Sequence, residues 1–240
     1  VTKMKIGIDQ LKRFIDIAGV NKDGFEAIAS AGTLTSNVMN DDRNVVVIVE
    51  MQTKAGDEAK FRLQRDIFLK YLRNIDGKMV DMTSDDTLIT VEGEDVKLFI
   101  PQVVSAITDK TKKPLPQSMS NWEMQSKLTF SPVKIKKILS VVDNVGERVI
   151  TLVISGGKIT AKIKKKAIVK DIGEVTDGET DFTVSYHIGA FNDAFQGALD
   201  KPVFVTIYSP IENDRPPSSF NYSSGDLLIS GLLADWREKE

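Results

Sequence analysis

The sequence predicts an α+β chain made of two tandem copies of one unit, each with two helices packed on antiparallel sheet. Three observations carry this. Short β-branched runs bounded by turn residues recur along the 240 residues. Four segments have the apolar spacing of amphipathic helices. Those four align pairwise at nearly one offset, the mark of an internal repeat.

The strand runs are "RNVVVIVEM" (43–51), "TLITVEG" (87–93), "VKLFI" (96–100), "RVITLVIS" (148–155), "KITAKIK" (158–164), "DFTVSY" (181–186) and "PVFVTIY" (202–208). Each is rich in Val, Ile, Thr or aromatics, whose branched or flat side chains suit a pleated surface. "SGGK" (155–158) joins two of them through paired glycines and predicts a tight hairpin.

The first helix is "IDQLKRFIDIAGV" (8–20), where Leu11, Phe14, Ile15 and Ala18 recur at helical spacing. In the second, "RDIFLKYLRNI" (65–75), Phe68, Leu72 and Ile75 turn inward. The third contains "VKIKKILSVV" (133–142), with Ser131 as N-cap, Pro132 at the first helical position, and Ile135, Ile138, Leu139 and Val142 inward. The fourth, "HIGAFNDAFQGAL" (187–199), faces Ile188, Phe191, Phe195 and Ala198 inward.

Shifting "LKRFIDIA" by 124 positions (11 to 135) lays Leu11 on Ile135, Lys12 on Lys136, Arg13 on Lys137 and Phe14 on Ile138. The second and fourth helices match at an offset of 123 (68 to 191), Phe68 on Phe191 and Leu72 on Phe195. The expected division is a first domain over 1–107, a linker over 108–126 and a second domain over 127–240. The linker, "TDKTKKPLPQSMSNWEMQ" (108–125), is polar, carries two prolines and sustains no period.

Composition narrows the function. With 41% hydrophobic and 28% charged residues the chain reads as a soluble globular protein with no membrane partner, and the absence of cysteine fits an intracellular one. Thirty-two basic against 34 acidic residues exclude a generally basic nucleic-acid binder, so any contact with DNA comes from a local patch. One histidine, no cysteine, no phosphate-cradling glycine loop and no nucleophile elbow leave little for catalysis, so no enzyme activity, cofactor or metal is expected. The acidic pairs at 41–42 and 85–86 lack the stepped ligand spacing of a calcium loop and read as solvated turns.

The duplicated unit resembles the DNA sliding clamps, of which proliferating cell nuclear antigen is the nearest type. The resemblance rests on "LKRFI" (11–15), "VMNDDRNVVVIVEM" (38–51), "DFTVSYHIGAF" (181–191) and the tail "DLLISGLLADWREKE" (226–240), in that order along the chain. It implies a closed ring of six such domains, here a homotrimer, with helices lining the hole. It also implies the function of a DNA polymerase processivity factor that encircles duplex, binds short peptides of polymerases and other partners, and needs a clamp loader. The alternative is a clamp fold used only as a protein-interaction module that does not encircle DNA.

Under the resemblance, the residues facing DNA are Lys12, Arg13, Lys70, Arg73, Lys134, Lys136, Lys137 and Lys201. Mobile, hydrated lysines hold phosphate without sequence preference, while ordinary solvated surface is the other reading of the same residues. On the fourth helix Asp193 stands where Lys70 does, which makes the second domain's lining lopsided. The partner-peptide pocket would comprise Met39, Val45, Val47, Leu115, Met119, Trp122, Pro217, Leu233 and Ala234. Trp122 either meets a partner or pins the linker to the sheet. For subunit pairing, the resemblance joins an edge strand in the basic run "KITAKIKKKAIVK" (158–170), through Ile159, Ala161 and Ile163, to one in "GEDVKLFI" (93–100) carrying Val96, Leu98 and Ile100. The lysines of that strand are equally consistent with a solvated edge guarded against aggregation.

Overall fold

Two runs of nearly one element order make up the chain. The computed structural model describes residues 3–55, 58–103, 121–142, 146–164, 167–211 and 215–236. The first run is β1 (Met4–Gly7), α1 (Ile8–Ala18), β2 (Phe25–Ser30), β3 (Thr33–Met39), β4 (Val45–Gln52), a two-residue β5 (Lys54–Ala55), β6 (Ala59–Leu63), α2 (Arg65–Leu72), β7 (Met79–Ser84), β8 (Leu88–Glu92) and β9 (Lys97–Pro101). The second is β10 (Met124–Phe130), α3 (Pro132–Val142), β11 (Val149–Ser155), β12 (Lys158–Ile163), β13 (Ala167–Gly178), β14 (Phe182–His187), α4 (Ile188–Phe195), β15 (Val203–Tyr208), β16 (Ser218–Ser224) and β17 (Leu227–Leu233). β5 apart, both runs read β-α-β-β-β-β-α-β-β-β. The duplication expected from the helix offsets is therefore one of whole units.

Two compact units result. The first comprises Val1–Asp41, Val47–Lys113 and Asp226–Leu228, and the second Asp42–Val46, Pro114–Gly225 and Ile229–Glu240.

In the first unit, β5-β1-β7-β8-β9 form one antiparallel sheet, and β4, β3, β2 and β6 lie side by side in another. α1 buries Leu11, Phe14, Ile15 and Ala18, the stripe predicted by spacing. α2 packs beside α1 through Phe68 and Leu72, and the Arg65 guanidinium donates to Asp16 from Nε at 2.9 Å. Asp85 closes the β7–β8 turn, accepting from the Thr87 and Leu88 amides at 2.8 Å each, and these bonds with the Thr87 hydroxyl hold its carboxyl below the usual range. One of the acidic pairs read as turns is therefore a turn device.

In the second unit the order is β14-β11-β12-β13-β10-β15-β16-β17. Gly156 and Gly157 have φ of 54° and 75°, so the β11–β12 hairpin turns through the two left-handed positions that paired glycines permit. Asp181 caps that turn from outside, accepting from the Gly156 amide at 3.0 Å and from Thr180 and Ser155 hydroxyls. The core is aromatic: Phe130, Phe191, Phe195 and Phe220 meet edge to face, and the buried Tyr222 hydroxyl donates to the Ala194 carbonyl at 2.9 Å. Gly231 is a close-approach position, since a Cβ there would lie 2.0 Å from the Val46 carbonyl.

Two expectations are corrected. β10 begins at Met124, so residues 124–126 are strand rather than linker. β12, expected as an edge strand, is interior: it pairs with β11 from Thr151↔Lys162 to Ser155↔Lys158 and with β13 from Ile163↔Ala167 to Lys158↔Glu174. Ile159, Ala161 and Ile163 are fully buried core residues. The lysines of this strand mark a solvated face, not an open edge, because period-two alternation reports faces and is silent about hydrogen-bonded neighbours.

Candidate functional site

The cations of the helices are unevenly dealt. α1 pairs Lys12 and Arg13, both half-buried, with exposed Asp9 and Asp16. α2 carries exposed Lys70, with Arg73 at its C-cap, against Asp66 near its start. α3 has Lys134, Lys136 and Lys137 with no acid over Pro132–Val142. Lys136 and Lys137 are exposed, whereas Lys134 is half-buried with its Nζ 3.3 Å from the Lys170 carbonyl. α4 holds no cation; Asp193 lies half-buried on it and Lys201 follows, exposed, beyond its end. The two helices of the second unit therefore differ in charge, α3 carrying three lysines and α4 none.

The second feature is the set of strand edges. An unpaired edge offers a row of hydrogen-bonding groups, and folded chains cover such rows. The outer side of β6 is covered: Val103 donates to the Arg62 carbonyl at 3.3 Å, Gln102 accepts from the Arg62 amide at 2.8 Å, and Ser84 donates to the Lys60 carbonyl at 2.9 Å. The outer side of β14 is covered by the C-terminal segment. Trp236 donates to the Ser185 carbonyl at 2.7 Å, Asp235 accepts from the Ser185 amide at 3.3 Å, and Arg215 reaches the Thr183 carbonyl at 3.5 Å.

Besides the two-residue β5, which pairs only with β1, two longer edges remain open among the described residues. β9 pairs only with β8. Backbone groups alternate sides along a strand. The Gly93-to-Val96 and Gln102-to-Thr87 bonds turn 96, 98, 100 and 102 toward β8, so Lys97, Phe99 and Pro101 point theirs outward. β13 is bent at Asp171, whose φ is 53°, and from Gly173 onward it lies between β12 and β10. Ahead of that bend, Ala167–Lys170 is paired on the β12 side alone. The tight Ser155–Lys158 hairpin fixes Ile159, Ala161 and Ile163 toward β13, so Ala167 and Val169 face β12 while Ile168 and Lys170 turn their backbone outward. Each open edge carries an apolar side chain in water, Phe99 and Ile168 at 58% exposure apiece.

Three of the residues expected at a subunit interface lie on or beside β9. Val96 and Leu98 are half-buried and Ile100 is core, since they sit on the face turned to the unit's interior. Phe99 is the accessible apolar residue, missed because the expectation takes the opposite face of the alternation, 96, 98 and 100. Its position between Lys97 and Pro101 on the outward face was the available signal.

Of the pocket residues, Met39, Val45, Val47 and Leu233 are buried, while Trp122, Pro217 and Ala234 are half-exposed. Trp122 packs edge-on against Tyr208 with ring centroids 5.2 Å apart, and Ala234 donates to the Asn44 carbonyl at 2.8 Å. Leu115 and Met119 lie outside the described residues. An open groove of about 400 Å³ between Thr129, Pro132, Lys158, Asp171, Glu174 and Pro202 offers no nucleophile–base pair. Among the described residues no group of three or more His, Cys, Asp or Glu is placed to hold a metal ion, and no helix is long and apolar enough to cross a membrane.

No family model matches the sequence, and no curated protein resembles it in sequence. Solved structures do resemble it in fold. The PCNA of A. fulgidus, solved with the C-terminal region of FEN-1 bound, matches with a TM-score of 0.75 at 13% identity over 100% of both chains. The chain has the sliding-clamp fold. The PCNA of Entamoeba histolytica matches at 0.74 and 12% identity over 98% of this chain and 99% of its own. The PCNA2–PCNA3 complex of Sulfolobus tokodaii matches at 0.73 and 14%, over 98% and 100%. The clamp fold accounts for the duplication, with an α+β unit used twice and few helices set against large antiparallel sheets.

Proposed function

We propose that the chain is a DNA polymerase processivity factor without chemistry of its own. Copies join edge to edge, β9 of one against the first part of β13 of the next, and close into a ring around duplex DNA. A chain of two clamp units would close as a homotrimer. The observation that carries the reading is the pair of open edges, one in each unit, in a full-length clamp fold whose β6 and β14 edges are covered. Pairing them satisfies the outward backbone groups and buries Phe99 and Ile168.

The mechanism is topological. Encirclement replaces tight binding, so the contacts of Lys12, Arg13, Lys70, Arg73, Lys134, Lys136, Lys137 and Lys201 with phosphate need only be weak and exchangeable. A closed ring needs a loader to thread it onto closed DNA. Partner peptides would dock where Trp122, Pro217 and Ala234 are accessible, the surface offering an aromatic anchor. A specific observation favours a second reading, an interaction module that leaves DNA alone: α1 is charge-balanced and α4 has no cation.

Primer extension on a primed circle decides between them. Reversing the charge of Lys12, Arg13, Lys136 and Lys137 together is expected to abolish polymerase stimulation while light scattering reports an unchanged assembly. Stimulation that survives the reversal removes these residues from the DNA face.

A further inference from the structure

Lys134 differs from its neighbours on α3. Lys136 and Lys137 extend into solvent, whereas Lys134 is half-buried and its ammonium donates to the Lys170 carbonyl at 3.3 Å. That carbonyl is no ordinary acceptor. Ile168 and Lys170 are the two residues of β13 whose backbone groups face the open edge, since Ala167 and Val169 are turned to β12. Just beyond, the strand bends at Asp171, and the Ser131 amide takes the Ile172 carbonyl at 2.8 Å, which ties the start of α3 to the end of the open stretch. A side chain from α3 therefore stands in, at one rung, for the strand that the edge lacks.

We propose that Lys134 is a coupling residue between assembly and DNA contact. In the unassembled chain it caps the open edge at Lys170. When a second copy supplies a strand, a backbone amide takes that carbonyl, and the released ammonium joins Lys136 and Lys137 as a phosphate contact. Cationic charge facing DNA is then greater in the assembled form than in the free chain. The proposal rests on the reading of the protein as a ring on DNA. It adds that charge is redistributed on closure.

The test uses Lys134→Met, which keeps the aliphatic length and removes the donor, with Lys134→Arg as the variant that restores a cation. Self-association is measured by sedimentation velocity, and duplex binding of the assembled form by its dependence on salt; circular dichroism checks that both variants fold. Removing the cap leaves the carbonyl to water in the free chain, so assembly no longer has to break the lysine's bond, and Lys134→Met is expected to self-associate about two- to twelvefold more tightly, the span of one solvent-exchanged hydrogen bond. Its log–log salt slope is expected to fall by about 0.9 for each chain in contact with duplex. Lys134→Arg recovers the slope. A lowered slope with unchanged self-association makes Lys134 a plain phosphate contact and overturns the coupling. Weakened self-association places it in the assembled interface and overturns it too, as does an unchanged slope. If the unaltered protein neither self-associates nor binds duplex, the ring reading falls with it, an outcome visible before any variant is made.

Discussion

Replacing Phe99 with Asp is expected to loosen the association between chains and leave each chain as stable as before. The ring of Phe99 is 58% exposed on an edge strand paired only with β8, so the isolated chain gains little from it. Full burial of such a side chain is worth ~1.5–3 kcal/mol, and the 58% still open to solvent therefore ~0.9–1.7 kcal/mol for each interface formed. That corresponds to about a fivefold to twentyfold weaker association per interface, before the cost of desolvating the new carboxylate is added. Sedimentation velocity over a concentration series reads the shift, and the urea midpoint of the dissociated chain is expected to stay within ~0.5 kcal/mol of the parent. A covalent version needs no background correction, because the sequence contains no cysteine. Phe99→Cys and Ile168→Cys in one chain give two thiols, which on adjoining strands come within the ~4.4–6.8 Å Cα separation a disulfide spans. Oxidation is then expected to produce a ladder that stops at the number of copies that closes. Sedimentation indifferent to Phe99→Asp, together with no cross-linked species, would refute the edge-to-edge assembly.

Three further outcomes are expected. Asp193→Lys, which gives α4 the cation that Lys70 supplies in the first unit, is expected to steepen the salt dependence of duplex binding by about 0.9 per contacting chain, and no change would remove α4 from the DNA face. Tyr222→Phe strips the donor from the buried Ala194 carbonyl and is expected to cost ~1–2 kcal/mol in urea unfolding; the phenol it removes is held neutral by burial, which raises its pKa. Asp181 has its carboxyl lowered below the usual 3.8, first by the Gly156 amide and then by the Thr180 hydroxyl. A depressed folded-state pKa means stabilisation present in full above that usual value and lost as pH falls through the folded one. Protection of the Gly156 amide in hydrogen exchange is therefore expected to decline below about pH 4, and Asp181→Asn to remove that pH dependence.

The helices were legible because burial on one face writes a 3.6-residue period, and Leu11, Phe14, Ile15 and Ala18 are indeed all buried. The hairpin at Gly156–Gly157 was legible for a different reason, since few residues take two left-handed conformations in succession. β13 was not. Its alternation is broken by Asp171, Gly173 and Gly178, and the break is the bend that carries the strand from one neighbour to two. Nor does sequence say which strand lies at an edge. "KITAKIK" looks like a guarded edge because its lysines alternate, yet every one of its inward residues is core between two paired strands. Phe99 was hidden for a related reason: in 96–100 both faces carry apolar residues, so alternation does not say which face the pleat turns out.

The chemistry of the open edges argues for a ring over a simple dimer. A twofold dimer needs one edge to pair with itself. On β9, antiparallel self-pairing about Phe99 sets Lys97 opposite Pro101, which has a carbonyl and no amide, so the Lys97 carbonyl goes without a donor in both copies. Self-pairing of β13 sets the apolar Ile168 opposite the charged Lys170 in both copies, whereas against β9 the apolar Ile168 meets the apolar Phe99 across one rung. Unlike edges that prefer each other give head-to-tail contacts, and head-to-tail contacts either close or propagate. Lys97 opposite Lys170 is the one adverse pair in that register, tempered by Glu92, whose carboxylate lies 3.8 Å from the Lys97 ammonium. Glu92→Gln is accordingly expected to weaken assembly at low salt and to matter less as salt rises, because screening then does for the two lysines what the carboxylate did. A Glu92→Gln chain that assembles as the parent does at every salt concentration would rule out this register and leave Phe99 to find another partner.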